Sequence, residues 1–273
     1  MERLCIFAHY DKDNIVDDYV IYYLQELKKF FNTIIFVSDS NLPDSEKNKV
    51  SNLCNYIKAE HHGEYDWGSY KYGYIIAKEK GLLSSAAELL LCNDSVYGPV
   101  CSLEPFFNKM TNDSCDFWGM FENKDGINKG TKENHLQSWF LLLKKDVFNS
   151  EIFDNFILSV RKFQDKNELI NQFEVGFTQK MSSQFEYKAL YTSEKGNAVT
   201  QAAPILLKKG FPFIKTVVLK KYFITLCNLT KKQQNLYYKH SKRISSLPFI
   251  NKLIKTVFWK LKMRKIKISF PLQ

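Results

Sequence analysis

The sequence predicts an α/β protein built on a doubly covered, mixed but mostly parallel sheet, followed by a basic helical C-terminal extension. Short apolar runs alternate with stretches of helical periodicity from Arg3 to Cys92, and each run stops abruptly in a polar cluster. The charge is also unevenly spread. Residues 195–273 hold 18 of the 39 Lys and Arg and no Asp or Glu, which leaves residues 1–194 with 21 basic against 29 acidic residues. With 45% hydrophobic and 15% aromatic residues in 273, the chain can bury a core, which excludes a disordered, collagenous or coiled-coil protein.

Arg3–Ala8 is an apolar run that reads as a buried strand, and Asn14–Phe31 follows with Ile15, Tyr19, Tyr22, Tyr23 and Leu27 at helical spacing. Thr33–Val37 is β-branched and strand-like, completing a βαβ unit. A further helix is expected between Pro43 and Tyr56, and Glu88–Cys92 is a third apolar strand. Beyond it, Asp116–Met120 and Ser138–Lys144 read as strands, Leu169–Met181 as a helix or turn-helix, and Asn123–Glu133 as a polar surface loop. Pro204–Pro212 marks the expected boundary between a first domain, 1–203, and the basic region, 204–273.

In such sheets ligands bind outside the carboxyl ends of the strands. Those ends are His9-Tyr10-Asp11, Ser38-Asp39-Ser40 and Asn93-Asp94-Ser95. Asp94 follows an apolar strand, so its carboxylate either holds Mg²⁺ or Mn²⁺ against a diphosphate or caps an Asn-Asp-Ser turn. Glu60–Gly73 (EHHGEYDWGSYKYG) packs two His, three Gly and four aromatics into fourteen residues, a mixture that suits a sugar and a nucleotide better than a core. Within it His61 and His62 have no partner cluster at metal-ligand spacing. Glu174 lies between apolar residues, placed either as a general base or as a solvated helix residue. His135 and Gln137 read either as site lining or as a hydrogen-bonded turn.

Taken in order, FAHYDKDN, IIFVSDS, GEYDWGSYKYG, LLLCNDSVYGP, CDFWGM, HLQSWFLLLKKDVF and FEVGFTQKM resemble the rhamnan synthesis F family of bacterial polysaccharide assembly, over roughly residues 3–220. The resemblance implies a GT-A-like glycosyltransferase that transfers L-rhamnose from dTDP-L-rhamnose to a growing surface glycan with inversion. It puts Asn93-Asp94-Ser95 where such enzymes carry an Asp-x-Asp motif, with one Asp in place of two. It makes Glu174 the catalytic base and assigns donor binding to His9, Tyr10, Asp11, Asp39, Gly63, Tyr65, Asp66, Lys71, Asn93, Asp94 and Ser95. Trp118, His135 and Gln137 fall on the acceptor side. Charge on the leaving diphosphate would be met by Mg²⁺ or Mn²⁺ on Asp94, or by Lys71. Two alternatives are the same fold with another donor such as UDP-galactose, and a non-catalytic glycan-binding subunit of a synthase.

The six cysteines show no C-x-x-C pairing, and no window approaches the roughly 18 continuous apolar residues of a membrane span. A cytoplasmic protein, peripherally attached to the inner face of the cell membrane, is expected. Ile250, Leu253, Ile254, Val257, Phe258 and Leu261 form one stripe over Leu247–Lys262 with lysines opposite, a basic amphipathic helix. It is suited either to an anionic membrane surface beside a lipid-linked glycan acceptor or to docking on the domain. No nucleic-acid motif is recognised, so no nucleic-acid partner is expected.

Overall fold

A computed structural model of the chain describes residues 2–124, 133–193, 197–221, 230–240 and 268–269. The polar loop expected over 123–133 falls mostly outside these residues, and the basic amphipathic helix expected over 247–262 falls wholly outside them. The strands β1 (Arg3–His9), β2 (Thr33–Ser38), β3 (Tyr56–Ala59) and β4 (Glu88–Asn93) run parallel in the spatial order β3-β2-β1-β4. After the short β5 (Val96–Tyr97) come β6 (Phe117–Asn123), β7 (His135–Leu136), β8 (Phe140–Lys144), β9 (Tyr187–Ser193), β10 (Ile214–Lys215) and β11 (Ile268–Ser269). The large sheet has the order β11-β9-β6-β8-β4-β1-β2-β3, with β8 antiparallel to both neighbours and β7 paired to β6. β5 and β10 form a separate antiparallel ribbon. The mixed, mostly parallel α/β sheet expected from the alternating pattern is therefore what the chain forms.

Strand alternation divides the core in two. Cys5 and Phe7 of β1, Leu90 and Cys92 of β4, and Phe140 and Leu142 of β8 face one side; Leu4 and Ile6, Leu89 and Leu91, and Leu141 and Leu143 face the other. The first side is covered by α1 (Asp18–Leu27) and helix Glu104–Thr111, joined by a late stretch of chain from Ala198 to Leu219. The second is covered by α3 (Tyr65–Glu79), after the short α2 (Asp44–Asn48), together with helix Glu151–Leu158 and the segment 169–181. Both faces being buried explains why the strands read as continuous apolar runs. Among the described residues no helix is long and apolar enough to cross a membrane.

Several elements differ from expectation for local reasons. The first helix begins at Asp18 rather than Asn14 because the Asp11 carboxylate accepts the N–H groups of Asp13 (2.9 Å) and Ile15 (3.2 Å), holding 11–15 as a turn. The helix expected over 43–56 shrinks to Asp44–Asn48, which buries no residue, and Asn55 then joins Ile34 through its backbone and side chain (2.8 and 3.0 Å), starting a strand that the sequence pattern concealed. Leu169–Met181 is helical but contains a π turn at Ile170–Val175. The expected boundary at Pro204–Pro212 is also not where packing stops. Phe211 meets Trp139 and Tyr191 at 6.0 and 4.9 Å, and Phe213 meets Tyr23 and Trp139 at 5.2 and 5.5 Å. Tyr237 of the helix Lys231–His240 is buried against Tyr97.

Gly73 sets how closely α3 approaches the sheet. A Cβ there would stand 2.3 Å from Cγ2 of Ile6. Gly73→Ala is expected to cost about 1–3 kcal/mol through overpacking, measured by denaturant unfolding. Ile6→Ala should cost less in the Gly73→Ala background than alone; strictly additive effects would show that the approach is not limiting.

Candidate active site

The parallel register brings the polar ends of three strands to one edge, since His9 pairs with Ser38 and Ala8 with Asn93. A cleft of about 1200 Å³ opens there. Its floor is built from backbone and side chains together. Asp94 donates its N–H to the Ala8 carbonyl (3.2 Å), and its Oδ2 accepts the Tyr10 N–H (3.1 Å). Tyr19, which α1 presents from the adjoining face, donates its hydroxyl to the Asp94 carbonyl (3.0 Å). Asn93 donates from Nδ2 to Asp66 (2.8 Å) and accepts on Oδ1 from the Ser95 N–H and hydroxyl (3.1 and 2.6 Å). The Asn-Asp-Ser stretch is thus a hydrogen-bonded turn whose one carboxylate also lines the cleft.

The wall beyond β2 is organised by Asp39, whose Oδ1 accepts the N–H groups of His62 (2.7 Å) and Gly63 (2.9 Å) and meets His61 Nδ1 at 2.9 Å. Gly63 has φ +71°, and Tyr65, opening α3, has φ +57°, an uncommon conformation for a bulky residue that marks this loop as tightly determined. His62 donates to or accepts from Ser69 (3.1 Å), and burial lowers its pKa against the attraction of Asp39 and Glu64. His9 is buried with its Nδ1 against Ser38 (2.8 Å), and burial lowers it to about 4 against the pull of Asp11 and Glu46. Its ring is neutral at pH 7, so its 3.7 Å approach to Asp94 is not an ion pair.

The π turn carries Glu174 to the cleft, half-buried between the buried Phe173 and Val175. A π turn hydrogen-bonds i to i+5 and so inserts a residue, and such turns often mark functional sites. It lets Phe173 and Phe177 both pack on Trp67 (6.0 and 5.5 Å) while Glu174 lines the cleft. Nearby, burial and then the charge of Asp66 keep the Tyr70 phenol protonated; its hydroxyl donates to the Ser138 carbonyl (2.9 Å).

The structure thus gathers Tyr10, Asp11, Asp39, Gly63, Tyr65, Asp66, Asn93, Asp94, Ser95 and Glu174 around one cavity. Five expected residues stand elsewhere. His9 lies beneath the floor. Lys71 is ion-paired to Glu64 and donates to the Val160 carbonyl (2.9 Å), outside the cleft lining. Trp118, expected on the acceptor side, is instead a core residue, ringed by Phe107 and Phe140 at 6.0 and 5.6 Å. His135 and Gln137 are buried; Gln137 donates to Asn123 and Asn197 (3.1 and 3.2 Å) and accepts the Trp139 indole N–H (2.5 Å). His135 belongs to β7, and Gln137, just after it, holds Trp139, which does line the cleft.

Sequence reasoning missed Lys215, at the end of β10, and Thr216, which opens the helix Thr216–Lys221. The Thr216 N–H reaches the Ser95 carbonyl (2.9 Å), and Lys215 Nζ donates to Ser95 Oγ (2.9 Å) while lying 5.2 Å over the Trp139 ring. The usable signal was a lone lysine closing the apolar run Phe211–Ile214. Lys162, also missed, crosses Gly63, where an added Cβ would be 3.3 Å from its Nζ.

Among the described residues, seven carboxylates and three lysines line the cleft, together with exposed aromatics such as Tyr10 and Tyr65. Carboxylates accept from hydroxyls and aromatic faces cover apolar sugar faces, so this lining suits a polyhydroxylated ligand. Among the described residues no group of three or more His, Cys, Asp or Glu is disposed to hold a metal ion. The Asp94 carboxylate, which lines the cleft, is the oxygen donor type that suits a hard divalent cation keeping several waters and completed by substrate phosphates.

The chain is similar to several known proteins. It is 24% identical over 162 residues to the uncharacterized protein y4gN of Sinorhizobium fredii, covering 59% of this chain and 41% of that one. It thus spans under half of that relative's length. Among solved structures, a cytidylyltransferase from Leptospira borgpetersenii aligns over 91% of this chain and 99% of its own at 10% identity (TM-score 0.45). TarS residues 1–349 from S. aureus aligns over 89% of this chain and 73% of its own at 14% identity (TM-score 0.41). Core-mannan synthase A from Aspergillus fumigatus, in its Mn/GDP form, aligns over 57% and 63% at 11% identity (TM-score 0.35). A family model described as rhamnan synthesis protein F matches residues 34–254, and the chain belongs to that family.

Proposed function

We propose that the chain is a GT-A-like glycosyltransferase that moves a sugar from a nucleotide donor to a growing cell-surface polysaccharide. L-Rhamnose from dTDP-L-rhamnose, transferred with inversion, is the reading that family membership supports. The observation that carries it is the cleft: a carboxylate- and aromatic-rich cavity at the carboxyl ends of β1, β2 and β4, with Glu174 on one wall and the Asn93-Asp94-Ser95 turn on the floor.

In this reading Asp39 and the loop that follows β3 hold the nucleoside side of the donor, and the diphosphate lies on the Asn93-Asp94-Ser95 turn. Glu174 removes the proton from the acceptor hydroxyl as its oxygen attacks the anomeric carbon, while the nucleoside diphosphate departs from the opposite face. Asp94 would hold a divalent cation, which when bound neutralises charge on the phosphates. The walls exclude water that would otherwise compete as acceptor. The acid-free segment 195–273 supports attachment to the anionic inner face of the cell membrane, near a lipid-linked acceptor. A non-catalytic glycan-binding role is favoured by one feature, the single carboxylate in Asn93-Asp94-Ser95.

Turnover decides between the two roles. The full chain, assayed with a panel of nucleotide sugars and glycan acceptors, should transfer at least one sugar, and Glu174→Gln should slow that transfer about 10²–10⁴-fold with nucleotide affinity nearly unchanged. Near wild-type turnover in the variant would remove Glu174 from the reaction. Mn²⁺ binding in the presence of nucleoside diphosphate, followed by electron paramagnetic resonance, should weaken at least about tenfold in Asp94→Ala; equal binding would place the cation elsewhere. The full chain should sediment with anionic vesicles and leave them as salt rises, and deletion of 247–273 should abolish this. Equal binding to neutral vesicles would contradict the electrostatic attachment.

A further inference from the structure

We propose that Lys215 is the residue that binds the donor's diphosphate, brought into the cleft by the β5–β10 ribbon from beyond the expected end of the domain. This rests on the glycosyltransferase reading and names the group that recognises the anionic part of its substrate. The argument starts from charge. Among the described residues that line it, seven carboxylates stand against three lysines, so most of that lining repels a diphosphate and the phosphates are best placed against one of these three cations. Lys12 is paired with Asp13 (2.7 Å) on a side chain 78% exposed, where water screens it. Lys162 is exposed and crosses Gly63, in the loop that Asp39 holds. Lys215 is half-buried, and its Nζ is 2.9 Å from Ser95 Oγ, directly beside Asp94.

Its position is over-determined by the fold. The register Ile214↔Tyr97 and Lys215↔Val96 sets β10 against the continuation of β4, and the Val100 N–H fastens the ribbon to the Pro212 carbonyl (2.8 Å). Gly98, at φ +151°, permits that approach: an added Cβ would lie 2.6 Å from the Pro212 oxygen. The ammonium lies 5.2 Å over the ring of Trp139, whose indole N–H is held by Gln137. A primary ammonium so placed, with one donor on Ser95 Oγ, sets a point charge beside the turn where phosphate oxygens would lie, and its partial burial strengthens the interaction. It meets the role that the sequence alone gave to a metal on Asp94 or to Lys71, and it does so from the basic region rather than from the loop at Gly63–Lys71.

Calorimetric titration of the full chain with dTDP, UDP, GDP and CDP, and with the parent nucleosides, with Mn²⁺ and again in chelator, tests this. Wild type should bind at least one diphosphate. Lys215→Met, which keeps an unbranched apolar side chain, should bind that diphosphate roughly 10- to 100-fold more weakly in both conditions, with nucleoside affinity and thermal unfolding unchanged. Lys215→Arg should stay within about threefold. Undiminished diphosphate binding by Lys215→Met would overturn the role of Lys215 and leave the glycosyltransferase reading intact. Equal losses for nucleoside and diphosphate would show a merely structural lysine and overturn it too. Failure of wild type to bind any of the four diphosphates would overturn the glycosyltransferase reading itself, and this inference with it.

Discussion

The parallel alignment of β1 between β2 and β4 is the constraint on which the cleft depends. Because the three strands run the same way and in register, their last residues emerge together, and each strand stops where apolar residues give way to His9-Tyr10-Asp11, Ser38-Asp39 or Asn93-Asp94-Ser95. Nothing in those tripeptides is a site by itself. Their chemistry appears only when backbone pairing sets Asp94 against Ala8 and Tyr10, and when Asp39 gathers the N–H groups of the loop that follows β3. A slip of one residue would turn Phe7 and Cys92 to the other face of the sheet, so the buried cores on both sides enforce the alignment that the site requires.

A second dependence runs from the end of the described chain back to its middle. Phe211 and Phe213 pack among Tyr23, Trp139 and Tyr191, and this burial pins the ribbon that carries Lys215, and Thr216 just after it, to Ser95. A polar network then runs from Asn123 and Asn197 through Gln137 to Trp139, beneath Lys215, and on through Ser95 and Asn93 to Asp66. Such networks are costly when half satisfied and specific when complete. Residues far from the cleft, Gln137 among them, therefore act by holding the groups that line it.

Much of this was legible in the sequence because it is local. Apolar runs of four to seven residues that end in polar clusters identify β1, β2 and β4, and the unusual mixture Glu60–Gly73 identifies the loop and helix that form one wall. What was not legible is non-local or locally overridden. β3 is short and half-exposed, and its start is fixed by Asn55 pairing with Ile34 rather than by any pattern of its own. Trp118, His135 and Gln137 carry the residue types of a binding site, yet they sit where ring packing and side-chain hydrogen bonds absorb them. Lys71 has the right charge, but Glu64 and a carbonyl take it up. Lys215 lies 120 residues from the serine it meets, a separation over which sequence spacing carries no geometric information. The stretch Pro204–Pro212 reads as a domain boundary because proline favours turns; here Pro204 is buried inside the first turn of a helix and the Pro212 carbonyl accepts a ribbon hydrogen bond.

The central claim is that one cleft, built from three strand ends and closed by β10, holds a nucleoside diphosphate sugar. A crystal structure of the full chain grown with the nucleoside diphosphate that it binds best addresses this claim most directly. The account predicts density for the diphosphate between the Asn93-Asp94-Ser95 turn and Lys215, with the nucleoside toward Asp39 and the open end of the cleft facing Glu174. A nucleotide bound on any other surface, with this cleft filled by solvent, would contradict it.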